Sequence, residues 1–212
     1  MKRIGLFGAT GSIGASTIDL VQRQPEAFRI EVVTAGSDWR RLAEVARATG
    51  ARLAVLADPA GAGDLAAALS GTGTEVAAGA DALAAAAAEP LDLVMAAITG
   101  AAGLRPTLSA LAKGTTVALA NKEALVCAGA LMLDAARASG ARILPVDSEH
   151  NAIFQVIEAP ERVERVILTA SGGPFRTLGC AEMARVTPAQ AVRHPNWSMG
   201  AKIAVDSVTL MN

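Results

Sequence analysis

The chain has 212 residues, 52% of them hydrophobic but only 3% aromatic and none tyrosine, so one or two domains can be built around Ala, Val, Leu and Ile. Nineteen Lys and Arg against 20 Asp and Glu leave a net charge of −1 with the cations scattered, which removes the electrostatic footprint of a nucleic-acid binder. The longest charge-free apolar run, Leu93–Leu104, is shorter than a membrane span, Met1-Lys2-Arg3 leaves no room for a signal peptide, and two distant cysteines, Cys127 and Cys180, fit a reduced cytoplasm.

An apolar run at Arg3–Phe7 predicts the first strand; Gly8-Ala9-Thr10-Gly11-Ser12-Ile13-Gly14 follows directly and opens a helix that continues through Ile18–Gln24. At such a junction Gly8 permits a sharp turn, Gly11 lets the backbone approach a pyrophosphate, and Gly14 allows close helix packing, while the helix N-terminus favours phosphate. The spacing is G-x-x-G-x-x-G rather than the commoner G-x-G-x-x-G, and the plain alternative is a tight turn without a ligand. A second strand, Arg29–Ala35, leads into Gly36-Ser37-Asp38-Trp39-Arg40-Arg41, where the ribose of a dinucleotide would lie. An acid there favours the free 2′-hydroxyl of NAD and an Arg the 2′-phosphate of NADP. Both are present, so the segment does not decide, and Asp38 is equally suited to cap a helix.

Helix Arg40–Thr49, strand Leu53–Leu56, helices Asp64–Ser70 and Ala80–Ala88, and strand Leu91–Ala96 continue the alternation. Strand Thr116–Ala120 ends in Asn121-Lys122-Glu123. Asn121 can cap a helix and Glu123 suits its first turn, but Lys122 opposes the helix dipole by about 0.3–1 kcal/mol, which points to a functional demand. Ala130–Ser139 reads as a helix and Arg142–Val146 as a sixth strand. Continuous apolar strands alternating with helices predict an α/β fold, a doubly wound parallel sheet of Rossmann-like type.

Asp147 and Glu149 end that sixth strand. On an extended backbone the two share a face and can present oxygens to a hard cation; the plain alternative makes Ser148 an N-cap and the acids partners of the helix dipole. The pattern changes after Asn151, giving expected domains 1–147 and 148–212. In the second, Val163–Ala170 reads as a strand entering Ser171-Gly172-Gly173, a turn able to present a hydroxyl and backbone N–H groups to an anion. His194 and Trp197 fall in a loop between Gly173 and Gly200 of the kind that forms lids or is disordered, where a histidine taken singly is more often a surface residue than a phosphate ligand, and Lys202–Val205 is strand-like. Ser207 is placed to cap a helix that has made only about one turn by Asn212, so the sequence reads as a fragment.

Taken together, GATGSIG, LANKEALV, PVDSEHNAIFQ, SGGPFR and RHPNWSMGAKIAVDS resemble the 1-deoxy-D-xylulose 5-phosphate reductoisomerase family from Arg3 to Asn212. The resemblance implies a bacterial cytoplasmic enzyme that uses NADPH and Mg²⁺, Mn²⁺ or Co²⁺ to make 2-C-methyl-D-erythritol 4-phosphate, a homodimer at full length, with a phosphosugar as its small-molecule partner and neither nucleic acid nor membrane. It implies nucleotide contacts from Thr10, Gly11, Ser12, Ile13, Gly36, Ser37 and Asp38, with Asn121, Glu123 and Gly200 holding the cofactor near the substrate. Asp147 and Glu149 would bind metal and, with Lys122, carry the chemistry. Lys122, Ser148, Glu149, Ser171, His194, Ser207 and Asn212 would hold substrate oxygens or phosphate, and Trp197 would close over it. The implied reaction is a metal-assisted retro-aldol and aldol rearrangement followed by hydride transfer.

Two departures stand out. Ser37 and Asp38 occupy positions where the family carries a basic or amide pair, leaving Arg40 or Arg41 to select the 2′-phosphate. The family's phosphate-binding Lys, third metal-binding Glu and C-terminal helical domain would follow Asn212, so the 212 residues alone are expected to bind metal weakly and not turn over. The rival readings are an NAD(P)-binding module and an oxidoreductase of the semialdehyde dehydrogenase type, which would need a cysteine in an active-site loop, whereas Cys127 lies in an Ala-rich segment.

Overall fold

The computed structural model describes every residue except Leu168, Ala170, Met199 and 208–212, and all side chains in that set but Lys202. Two compact units emerge, Met1–Asn151 and Ala152–Asn212.

The first unit is one parallel sheet of seven strands: β1 (Lys2–Phe7), β2 (Phe28–Ala35), β3 (Leu53–Leu56), β4 (Glu75–Ala78), β5 (Leu93–Ala96), β6 (Thr116–Leu119) and β7 (Ile143–Pro145). Their spatial order is β4-β3-β2-β1-β5-β6-β7. The chain winds outward from β1 through β4, then crosses back to place β5 on the other side of β1 and winds outward again. Ligands of open α/β sheets bind at the carboxyl ends of the strands where the winding reverses, here between β1 and β5. The alternation of side chains along each strand explains the two faces: Leu6, Val33 and Ala54 enter one buried cluster, and Phe7, Val32 and Val55 enter the other. On the first face pack α2 (Trp39–Thr49) and α3 (Ala62–Ala68), with Ile18 and Val21 of α1 (Ser12–Gln22) at its margin; on the second lie α4 (Ala80–Ala87), α5 (Leu104–Ala112) and α6 (Lys122–Ser139). The doubly wound expectation therefore holds, with one strand more than the sequence indicates. β4 leaves no strand signal in the sequence because its four residues, Glu-Val-Ala-Ala, are neither long nor strongly apolar, and its place at the sheet margin comes from pairing with β3.

Helix α6 starts at Lys122 behind its cap Asn121, as the sequence allows, joins the expected Ala130–Ser139 helix, and bends at Ala128, whose φ and ψ of −144° and 31° leave the helical region just before Gly129. In the second unit several expectations are overturned. The described residues of Val163–Ala170 form no strand, and Lys202–Val205 lies within α10 (Ala201–Asp206). The stretch between Gly173 and Gly200 is not structureless, since it holds the short helices α8 (Cys180–Met183) and α9 (Pro188–Ala191). Each opens with a side chain reaching back to a backbone N–H: Glu182 Oε2 accepts from Gly179 at 2.9 Å and Gln190 Oε1 from Thr187 at 2.8 Å. Ser207 is the C-cap of α10, its hydroxyl donating to the Ala204 carbonyl at 2.6 Å, and the helix expected to follow it lies outside the described residues. Asn212 lies outside the described residues.

Candidate functional site

At the carboxyl edge of β1, Gly8 takes φ +95°, a conformation that disfavours any side chain, and a Cβ there would stand 2.5 Å from the Ala97 carbonyl oxygen at the end of β5. Gly14 is equally constrained, since its Cβ would lie 2.4 Å from the Ala9 oxygen. Gly11 differs: the nearest atom to its would-be Cβ is the Gly8 oxygen, at an ordinary 3.5 Å. Two glycines are thus required by the fold, whereas Gly11, the N-cap of α1 with no side-chain cap, leaves open space above the first-turn N–H groups. Thr10, Ser12 and Ile13 flank it, Ser12 and Ile13 in the first turn of α1. The turn is tied to β2 by Thr34, which is fully buried: its hydroxyl accepts from the Gly8 N–H at 3.1 Å and its carbonyl from Ala9 at 2.8 Å.

Past β2, Gly36, Ser37 and Asp38 are exposed, and nothing lies within 4 Å of a Cβ on Gly36. Asp38 caps α2, accepting from the Arg41 N–H at 3.0 Å.

At the edge of β6, Asn121 is buried and serves the scaffold. It caps α6 through Ala124, and its amide donates to the carbonyls of Ile98 at 2.6 Å and Gly100 at 2.8 Å, ordering the loop after β5. Lys122, whose charge conflicts with the helix dipole, finds its compensation across the sheet edge: Nζ donates to Asp147 Oδ2 at 3.1 Å, with both side chains only 12–13% exposed. Asp147 Oδ1 also meets His150 Nδ1 at 2.7 Å. Burial pushes the Asp147 carboxyl up, but hydrogen bonds from His150 and Lys122 and the lysine charge outweigh it, so its pKa lies below the ordinary carboxylate value.

The carboxylate pair is not arranged as expected. Residue 147 stands between β7 and α7 (Ser148–Val156), and Glu149 is in the first turn of that helix, so the two do not share an extended backbone. Ser148 is the first helical residue rather than a cap, and its hydroxyl donates to Glu149 Oε2 at 2.8 Å. Among the described residues no three His, Cys, Asp or Glu side chains gather as a metal cluster.

In the second unit, Gly172 and Gly173 take φ of +75° and +65°, curling the chain so that the Gly173 N–H donates to Ser171 Oγ at 3.3 Å. His194 Nδ1 accepts from the backbone N–H groups of Asn196 and Trp197, both at 3.2 Å. In the neutral ring the proton therefore sits on Nε2, which donates to Ser171 Oγ at 3.0 Å. With two bonds accepted and no acceptor for it among the described residues, the Ser171 hydroxyl proton is available to an incoming oxygen. The Trp197 indole stacks on His194 at 4.6 Å and remains 59% exposed. Gly200 caps α10.

The profile of 1-deoxy-D-xylulose 5-phosphate reductoisomerase matches residues 4–129, and that of the C-terminal domain of the same enzyme matches residues 143–212. The chain belongs to the 1-deoxy-D-xylulose 5-phosphate reductoisomerase family. It is 56% identical to the enzyme of that name from Zymomonas mobilis, over all of this chain and 55% of the relative, and 55% identical to that from Caulobacter vibrioides, over all of this chain and 53% of the relative. Among solved structures, the Zymomonas mobilis reductoisomerase in complex with NADPH superposes with TM-score 0.89 at 53% identity, covering 99% of this chain and 55% of that one. A second reductoisomerase, in complex with NADPH, fosmidomycin and magnesium, gives TM-score 0.93 at 38% identity, covering 100% and 55%. The chain spans about half the length of the relatives it matches.

Sequence spacing points to the Gly-rich turn and to Asp147 but not to Thr34 or His150, which hold them. Thr34 reads as one more β-branched strand residue; its only signal is a hydroxyl in an otherwise apolar buried run. His150 was legible in principle, three residues beyond Asp147 on a predicted helix. Cys127 is exposed on the side of α6, not in a site loop. No helix among the described residues is long and apolar enough to cross a membrane.

Proposed function

We propose that residues 1–147 form the NADPH-binding domain and 148–212 the first part of the catalytic domain of a divalent-metal-dependent reductoisomerase. Its reaction converts 1-deoxy-D-xylulose 5-phosphate to 2-C-methyl-D-erythritol 4-phosphate. The observation that carries the reading is an open Gly-rich turn and a nearly buried carboxylate held by Lys122 and His150 at one edge of one sheet, in a chain of this family. The solved relatives named as complexes with NADPH and magnesium support the same cofactors.

The residues present fit both groups. A pyrophosphate matches the space over Gly11 and the N–H groups of α1, with Thr10, Ser12 and Ile13 beside it and the Gly36-Ser37-Asp38 loop at the adenosine ribose. Asp147 and Glu149 supply the hard oxygen donors that Mg²⁺, Mn²⁺ or Co²⁺ prefer. When bound, the metal acts as a Lewis acid toward the substrate ketone and adjacent hydroxyl, and NADPH supplies hydride. The chain's own residues position and polarise. Lys122 keeps Asp147 ionised and offers a cationic donor to a substrate hydroxyl, with Glu123 and Asn121 behind it. Ser148, Glu149 and Ser207 donate or accept at substrate oxygens, Ser171 donates its free hydroxyl proton to the phosphate, and His194 holds that hydroxyl in place. Trp197, already stacked and exposed, covers the substrate and excludes water. Asn212 and Gly200 complete the substrate and cofactor contacts, in a bacterial cytoplasmic homodimer at full length.

Calorimetric titration tests this. The 212-residue chain is expected to bind NADPH without turnover, because two carboxylates hold metal weakly. A chain of the relatives' full length is expected to bind fosmidomycin only when Mn²⁺ is present. Failure of NADPH to bind, or substrate-dependent NADPH oxidation by the 212 residues alone, overturns the proposal. NADPH binding without metal-dependent inhibitor binding at full length identifies a nucleotide-binding module instead.

A further inference from the structure

The loop after β2 contains one acid and two arginines, and the geometry separates them. Thr34 ties the end of β2 to the Gly-rich turn, so the residues that follow stand where the second strand of a dinucleotide fold meets the adenosine ribose. Asp38 is engaged as the cap of α2, its Oδ1 accepting from the Arg41 N–H and its charge set against the helix N-terminus. Arg41 points the other way, along the helix, with its guanidinium on Glu44 Oε2 at 2.9 Å. Arg40 does neither. Its guanidinium carbon lies 4.4 Å from the centroid of the Trp39 ring, and no ion pair engages it among the described residues.

The indole that carries it is itself fixed. Trp39 packs against the apolar cluster under α2, and it abuts the turn Pro59–Gly61 after β3 so closely that a Cβ on Gly61 would sit 3.0 Å from Trp39 Cδ1. Side chains in the first turn of a helix lean back toward its N-terminus, which directs Arg40 toward the open Gly36-Ser37-Asp38 loop. A planar guanidinium stacked on an aromatic face retains its edge donors for a phosphate and loses little freedom in making the bonds.

We infer that Arg40, shelved on Trp39, is the residue that selects the 2′-phosphate of NADPH over the 2′-hydroxyl of NADH, and that Asp38 and Arg41 do not read this position. The inference rests on the NADPH reading above and sharpens it to one side chain, with Trp39 as its positioning residue.

The test compares 2′,5′-ADP with 5′-AMP, and NADPH with NADH, by calorimetry on the purified protein and on Arg40→Ala, Arg41→Ala and Trp39→Leu. Loss of a charge-assisted bidentate contact predicts roughly 10–100-fold weaker 2′,5′-ADP and NADPH binding for Arg40→Ala, with 5′-AMP and NADH within about threefold of the parent. Retained 5′-AMP binding also shows that the variant is folded. Arg40→Lys recovers only part of the loss, Trp39→Leu shows a smaller loss of the same kind, and Arg41→Ala shows none. The inference is overturned if Arg41→Ala carries the loss, or if Arg40→Ala weakens the phosphorylated and unphosphorylated nucleotides equally. If the unsubstituted protein binds neither NADPH nor 2′,5′-ADP, the cofactor reading falls and this inference with it; if it binds both and Arg40→Ala changes nothing, only this inference falls.

Discussion

In Met1–Asn151 the polar groups at the carboxyl edge of the sheet stand on two buried apolar clusters that fill both faces. In Ala152–Asn212 only Gly173 and Ala204 are buried among the described residues, and Val156, Val166, Ile167 and Trp197 are exposed. The first unit holds Asp147 and Thr34 by packing the elements that carry them. The second holds Ser171 and His194 by local means: two positive-φ glycines, two backbone N–H groups on one imidazole nitrogen, and a stacked indole. Precise placement of a polar group therefore has two sources in this chain, and they respond differently to mutation. A site resting on a core fails with the core, whereas a site built from turns fails one hydrogen bond at a time.

The sharpest contrast is between apolar truncations. Leu56→Ala, in the fully buried β3, is expected to lose about 2–5 kcal/mol in urea unfolding, while Val192→Ala, in the exposed second unit, stays within about 0.5 kcal/mol. A comparable loss for Val192→Ala breaks the distinction. Next comes Gly8→Ala, where a side chain at φ +95° against the Ala97 carbonyl costs about 1–3 kcal/mol of strain and displaces the turn. NADPH affinity, measured by fluorescence titration, should fall with stability. Gly11→Ala meets no such crowding and should lower affinity alone.

Lys122→Met leaves the Asp147 carboxylate nearly buried without its cation, a loss of about 1–3 kcal/mol that Lys122→Met with Asp147→Asn should partly restore in a double-mutant cycle. Strict additivity there means the pair contributes nothing. In the second unit, Ser171→Ala removes one neutral bond, about 0.5–1.5 kcal/mol, and its clearest readout is the His194 ring nitrogen shift, which should move as Nε2–H loses its acceptor. The smallest effect concerns pH. Asp92 accepts from the Arg3 backbone N–H and then from its side chain, and its pKa is lowered from 3.8. Its stabilisation is present above 3.8 and is lost as pH falls through the lowered value. Asp92→Asn should therefore flatten the acid limb of a stability–pH curve slightly and leave neutral pH nearly unchanged.

Most of the first unit was legible because its signals are local: apolar runs of strand length, Ala-rich helices, and glycines at a strand-to-helix junction. The same local signals misled elsewhere. Ile203 and Val205 alternate as in a strand, yet they lie in α10 behind Gly200. Val163–Val166–Ile167 is β-branched and apolar, yet no strand forms over its described residues. Propensity without a pairing neighbour does not make a sheet. At the candidate site, the shared extended face expected for Asp147 and Glu149 does not form, since α7 begins between them.

By itself the sequence determined the winding of α/β units, the turn at Gly8–Gly14 and the family, because period, turn chemistry and motif are properties of neighbouring residues. Only the tertiary structure decided that Lys122 answers Asp147 rather than the helix dipole, that Asn121 ties down the loop after β5, and that of the three charges after β2 Asp38 caps α2, Arg41 pairs with Glu44 and Arg40 stacks on Trp39. Those pairings join residues distant in sequence, or depend on which way a side chain turns, and a charge declares its partner only once the backbone has brought the two together.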